Sequence, residues 1–204
     1  KVVKEERTGA ELEIIPPTHC PICNTELAQE EGLVALKCPN PQCDAKIQRR
    51  IEYFVSRDAM SIDGLGSRII EKFIEIGKIK DISDIYLLKN FKEELMSLDK
   101  MGEKSVNNLI DSIEESKKRD YSKTLYALGI PFVGKFLANL LAKESKSIDN
   151  LAKLDIEDLL NIEQVGEKVA NSVYNFFRNE ENIELLNKLK SFGINYEIKE
   201  NNDA

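Results

Sequence analysis

Cys20, Cys23, Cys38 and Cys43 are the four cysteines of the chain, spaced C-x2-C-x14-C-x4-C within one short span. Two close pairs on tight turns can aim four sulfurs at a common point, which is the ligand set of a tetrahedral zinc site. Turn-forming residues are in place: Pro21 and Asn24 at the first pair, Pro39, Asn40 and Pro41 at the second. A segment of about 25 residues buries too little surface to fold unaided, since units below about 40 residues usually depend on a metal or on disulfides. Two disulfides or four buried free thiols are the other uses of these residues. No secretory signal favours oxidation, and scattered structural thiols rarely pair in this way. An iron site of the rubredoxin type usually has a glycine after each pair, and none stands here. Four thiolates leave no open position for a metal-bound water, so the expected role is structural zinc and not catalysis. His19, next to Cys20, could replace a ligand by type, but it reads as a neighbour of the first turn.

A second set of residues suits the binding of anions. Four segments share a form in which an apolar residue precedes a glycine that opens a helix: Ile62–Arg68, Leu98–Lys104, Leu128–Lys135 and Ile162–Lys168. Their last glycines, Gly66, Gly102, Gly134 and Gly166, lie 36, 32 and 32 residues apart. Such a period marks a repeated unit of helix, short hairpin and helix. A glycine at a helix start leaves unpaired N–H groups facing outward and lets a phosphate approach the main chain closely. The positive end of the helix dipole adds to the attraction. Each unit also carries a cation one or two residues past its glycine: Arg68, Lys104, Lys135 and Lys168. Gly64, inside the first hairpin, joins the candidate set. Any one unit alone reads as an ordinary helix–helix turn, but four in register point to nucleic-acid backbone. The acidic neighbours Asp63, Asp99, Glu103 and Glu167 imply that some copies serve packing alone. A branched side chain at Gly166 is expected to stand between phosphate and backbone and to strain the turn.

The elements that must position these residues are mostly helices. Ile47, Ile51, Phe54 and Val55 recur at helical spacing, as do Ile69, Ile70, Phe73 and Ile74, then Val106, Leu109, Ile110 and Ile113. These stripes are core-facing seams. Before the cysteines, Val2-Val3 and Leu12–Ile15 read as the end of a strand-rich element that stops at Pro16-Pro17. The expected division is therefore a β remnant at 1–15, a four-cysteine zinc finger at 16–45, a mainly α domain of four tandem helix-hairpin-helix motifs at 46–197, and a tail at 198–204.

Composition limits the function. In 204 residues, 42% are hydrophobic and 32% charged, as in a globular protein, and no run approaches the roughly 18 apolar residues of a membrane span. Lys+Arg number 29 against 36 Asp+Glu, a net charge of −7, so no broad basic field is available for nucleic acid. Binding must come from local donors. One histidine and no tryptophan supply histidine-based catalysis poorly. The chain opens on Lys1 in mid-pattern, which suggests a piece of something longer.

The strings HCPIC and KCPNPQC, then FVSRDAMSIDGLG, KMGEKSVNNL, LYALGIPFVG and QVGEKVANSVYNFF, resemble the central-to-C-terminal part of bacterial NAD-dependent DNA ligase, from about Thr18 to Tyr196. The resemblance implies a zinc finger joining an oligonucleotide-binding barrel, whose last segment would be 1–15, to four helix-hairpin-helix motifs. It implies hairpins that hold the backbone of nicked double-stranded DNA on the minor-groove side, in a cytoplasmic enzyme of replication and repair. NAD and Mg would be bound by the parent enzyme outside this chain, and the other ligase domains would act in cis. The family's nucleotidyl-transfer lysine lies in a Lys-x-Asp-Gly motif, and none occurs here; Ser61 stands two places before Asp63. The chain alone is therefore expected to be inactive. A free-standing zinc-finger and hairpin adaptor of repair or recombination is the alternative, and a hairpin-containing DNA glycosylase is a third reading, for which no base pocket is evident.

Overall fold

The computed structural model describes residues 8–10, 12, 15–29 and 35–199. Two compact units divide it, Lys1–Lys46 and Ile47–Ala204. The barrel remnant expected at 1–15 falls largely outside the described residues, and so do residues 200–204 of the expected tail. No helix among the described residues is long and apolar enough to cross a membrane.

The first unit is built from turns. Asn24, with φ +56°, closes the first cysteine turn, where its N–H donates to the Cys20 carbonyl at 2.9 Å and the Cys20 N–H donates to the Thr25 carbonyl at 2.8 Å. A short antiparallel ribbon follows, β1 (Ala28–Gln29) paired with β2 (Leu36–Lys37). At the second pair, Asn40 Oδ1 accepts from the Gln42 N–H at 2.9 Å and the Cys43 carbonyl accepts from the Lys46 N–H at 2.8 Å.

The second unit is helical. In chain order it holds α1 (Asp44–Val55, beginning just before the division), α2 (Ser67–Glu75), a 3-10 segment (Ile82–Phe91), α3 (Lys92–Met96), α4 (Glu103–Ser116), α5 (Tyr121–Ala127), α6 (Lys135–Ser145), α7 (Ile148–Lys153), α8 (Ile156–Leu160), α9 (Glu167–Phe176) and α10 (Glu180–Ser191). Amphipathic spacing drives the packing: α1 buries Ile47, Ile51, Phe54 and Val55, and α4 buries Val106, Leu109 and Ile113. One continuous apolar core runs from Ile47 to Tyr196.

The four hairpins lie between α1 and α2, α3 and α4, α5 and α6, and α8 and α9. They associate in two pairs. In the first, the Asp63 N–H donates to Ser112 Oγ of α4 at 2.8 Å. In the second, Ser172 Oγ of α9 donates to the Pro131 carbonyl at 2.6 Å. Each pair also buries a tyrosine hydroxyl against a serine near a helix end. Tyr86 and Ser116 oxygens are 3.0 Å apart, and Tyr121 and Ser145 oxygens 3.2 Å. Arg119, in the link between α4 and α5, donates from Nε to the Met60 carbonyl at 3.1 Å and from Nη2 to the Ser61 carbonyl at 3.3 Å, while its own carbonyl accepts from Asn195 Nδ2 at 3.1 Å. Ile198, placed by sequence in the tail, instead donates its N–H to the Lys146 carbonyl at 2.9 Å.

Candidate metal centre and nucleic-acid interface

The Sγ atoms of Cys20, Cys23, Cys38 and Cys43 all lie within 4.8 Å of one another, with Cys20–Cys43 at 3.9 Å and Cys23–Cys38 at 3.5 Å. A tetrahedron with Zn–S bonds of about 2.3 Å has S···S edges of about 3.8 Å. All four cysteines are free, and these separations are far beyond the roughly 2.05 Å of a disulfide. The donor set and its size therefore fit structural zinc. Hydrogen bonding with the Thr25 side chain and main chain lowers the Cys23 thiol to about 6, while burial pushes Cys38 up to about 11 and also raises Cys43. A bound Zn2+ would supply the positive charge that keeps four sulfurs together as thiolates. His19 lies outside the cluster, with Nδ1 2.9 Å from the Thr18 hydroxyl.

The four hairpins share one backbone design. Gly66, Gly102, Gly134 and Gly166 are the N-caps of α2, α4, α6 and α9, all extended, with φ between −70° and −91°. The residue before each glycine is buried: Leu65, Met101, Val133 and Val165. Four residues after it stand Ile70, Val106, Ala138 and Ala170, fully buried. Two residues before it the chain takes positive φ, at Gly64, Lys100, Phe132 and Gln164. Sequence reasoning missed that last position, because three of its four residues are types that seldom adopt such a conformation.

No side chain caps any of these four helices. Asp81, Ser147, Asp155 and Asn179 cap the 3-10 segment, α7, α8 and α10 through their side chains, while α3 and α5 also lack a side-chain cap but start at Phe91 and Asp120 and not at glycine. A Cβ added at any of the four N-cap glycines would meet nothing within 4 Å. Neither backbone strain nor internal packing therefore demands glycine there. The turn strain expected at Gly166 is absent, because its φ of −91° suits any residue. Gly64 differs: its φ is +93° and a Cβ would come within 3.3 Å of Leu109, so folding itself accounts for that glycine.

The cations also divide. Arg68, Lys104 and Lys168 are exposed and have no partner among the described residues. Lys135 instead pairs with Asp58 at 2.8 Å. Hence three of the four cations stand free beside their hairpins.

Residues 19–45 match the NAD-dependent DNA ligase C4 zinc finger domain family. Residues 56–115 match the SAM-like helix-hairpin-helix tandem family and 123–186 the helix-hairpin-helix motif family. The chain is 56% identical over 200 residues to a DNA ligase of Fusobacterium nucleatum, covering 98% of this chain and 29% of that protein. It is 45% identical over 194 residues to a DNA ligase of Bacillus subtilis, covering 95% and 29%. Against a DNA ligase of Clostridioides difficile it is 44% identical over 201 residues, covering 98% and 30%. The chain thus spans less than a third of the length of these curated relatives. It carries the C4 zinc finger and helix-hairpin-helix region of the NAD-dependent DNA ligase family.

Proposed function

We propose that this chain is the non-catalytic, duplex-gripping part of an NAD-dependent DNA ligase, holding the backbone around a nick while the parent enzyme seals it. The observation that carries the reading is the set of four uncapped helix starts whose N-cap glycines face open space. Phosphate oxygens there accept hydrogen bonds from the N–H groups of the first helical turn, with the helix dipole favouring the anion. Neutral amides make this possible for a chain of net charge −7. Arg68, Lys104 and Lys168 add charge beside three of the sites.

The zinc finger contributes by holding its own turns rigid, since the four sulfurs replace a hydrophobic core. NAD recognition, Mg binding and the adenylated lysine are assigned to other parts of the parent enzyme, because the Lys-x-Asp-Gly motif does not occur here. Fluorescence anisotropy with labelled nicked and intact duplexes, at low and moderate salt, tests the reading. Binding should depend little on base sequence and be modestly salt-dependent. No binding of either duplex at low salt would overturn it.

A further inference from the structure

Hairpin 3 departs from the other three at both positions that flank its phosphate-facing glycine. Two residues before Gly134 stands Phe132, with φ +66° and 68% exposed, where the other hairpins have Gly64, Lys100 and Gln164. Two residues after Gly134 stands Phe136, 61% exposed, where the others have Arg68, Lys104 and Lys168. A single exposed phenylalanine is unremarkable in a folded protein. Two of them stand astride one glycine, one filling with a bulky ring the left-handed position that all four hairpins share, and both rings are mostly outside the core.

The surroundings indicate what covers them. Phe132 borders a groove of about 650 Å³ whose other wall is α9, contributing Glu167, Lys168, Asn171, Asn175 and Phe176. The first pair holds a groove of about 380 Å³ between hairpin 2 and α2, bordered by Arg68, Lys72 and Lys100 and by one acid, Asp99. Asparagine amides and aromatic rings beside an uncapped helix start, with one charge of each sign at Glu167 and Lys168, suit a backbone with apolar sugar faces and hydrogen-bonding base edges. An apolar protein segment would instead call for aliphatic walls.

We propose that hairpin 3 binds DNA by an aromatic contact, Phe132 and Phe136 packing on deoxyribose surfaces on either side of the phosphate held at Gly134. This rests on the duplex-binding reading above. Hairpins 1, 2 and 4 then hold the backbone with charge assistance, while hairpin 3 holds it by burying ring surface. Contact of that kind follows the width and sugar edges of the groove and is nearly indifferent to salt.

The test is anisotropy of the zinc-loaded chain with a nicked duplex over a salt series, comparing an aromatic double variant with Lys168→Ala and Gly166→Val. Phe132→Gly with Phe136→Ala removes both rings, and glycine accepts φ +66°, so circular dichroism should be unchanged. Affinity should fall about tenfold, the scale of losing aromatic contacts to nucleic acid, with the log–log salt slope unchanged. Lys168→Ala should instead make the slope shallower by about 1. If the double variant binds like the parent while Lys168→Ala or Gly166→Val weakens binding, the aromatic contact is wrong and the duplex reading stands. A double variant whose slope changes also overturns it, because the rings would then act through neighbouring charge. Failure of the unsubstituted chain to bind duplex overturns both readings.

Discussion

Lys135 Nζ lies 2.8 Å from Asp58 Oδ1, so the cation beside the third hairpin is held by a carboxylate that follows α1 and is distant in sequence. The hydrogen bond to Lys135 lowers the Asp58 pKa below the ordinary carboxylate value, and the same bond raises that of Lys135. The carboxylate's contribution is therefore complete above its unfolded pKa and lost as pH falls through the lowered folded one. That of the lysine is present below its unfolded value and lost as pH rises through the raised one. Asp58→Asn should leave neutral-pH stability almost unchanged, because both side chains are more than half exposed and screened. Urea midpoints of the two proteins should converge in acid. On DNA the variant frees a cation, so affinity should rise a few-fold and the log–log salt slope steepen by up to about 1.

Zinc removal should act locally. One zinc per chain is expected on Cys20, Cys23, Cys38 and Cys43, checked by elemental analysis of the purified protein. Structural zinc contributes about 10–16 kcal/mol in small modules, whereas the helical unit has its own core. Cys38→Ser or chelation should therefore raise amide exchange across residues 18–45 and leave most of the helical circular dichroism intact. Global unfolding on chelation, or absence of zinc, would contradict this.

The buried hydroxyl pairs predict an asymmetric response. Ser116 Oγ donates to the Ile113 carbonyl at 2.7 Å and lies 3.0 Å from the Tyr86 hydroxyl, with both side chains fully buried. Ser116→Ala strands the tyrosine hydroxyl and should cost about 1–3 kcal/mol, whereas Tyr86→Phe leaves Ser116 bonded and should cost about 0.5–1.5 kcal/mol. Denaturant titration measures both, and the reverse order would show that the tyrosine hydroxyl is satisfied in another way.

Much of this arrangement is legible in the sequence, and the reasons are local. The spacing of Cys20, Cys23, Cys38 and Cys43 is itself a ligand geometry, and the period of Gly66, Gly102, Gly134 and Gly166 marks four equivalent helix starts. What could not be read depends on distance or on conformations that residue type conceals. Asp58 meets Lys135 across 77 positions, so nothing near Lys135 announces that it is engaged. Lys100, Phe132 and Gln164 adopt positive φ although their types do not favour it. Only superposing the repeats on Gly64 would have exposed the shared turn. The second member of each pair was equally hidden, since the Asp63–Ser112 and Pro131–Ser172 bonds are set by helix packing.

Catalysis offers a simple check. Incubated with NAD and Mg, the chain alone should form no covalent adenylate, because its only Asp-Gly near the first hairpin, Asp63-Gly64, has Ser61 where the nucleophilic lysine of the motif would stand. Transfer of radiolabel from NAD to the purified chain would refute this.

The main-chain mechanism is tested most directly by setting glycine against lysine within one hairpin. At Gly166 a valine meets no strain, since φ is −91°, and no clash, since nothing lies within 4 Å of its Cβ. Loss of the favoured N-cap residue should cost stability only about 1 kcal/mol, so the variant should remain folded. Its branched side chain nevertheless occupies the space through which a phosphate must reach the N–H groups of α9. Lys168→Ala, two residues on, removes one exposed charge without blocking that approach. Gly166→Val should therefore weaken duplex binding more than Lys168→Ala does, with little change in salt slope, whereas Lys168→Ala should mainly reduce the slope. The same order should hold for Gly134→Val against Lys135→Ala, and more strongly, because Lys135 is already held by Asp58. If the lysine variants abolish binding while the folded glycine variants bind normally, the cations carry the contact and the amides do not.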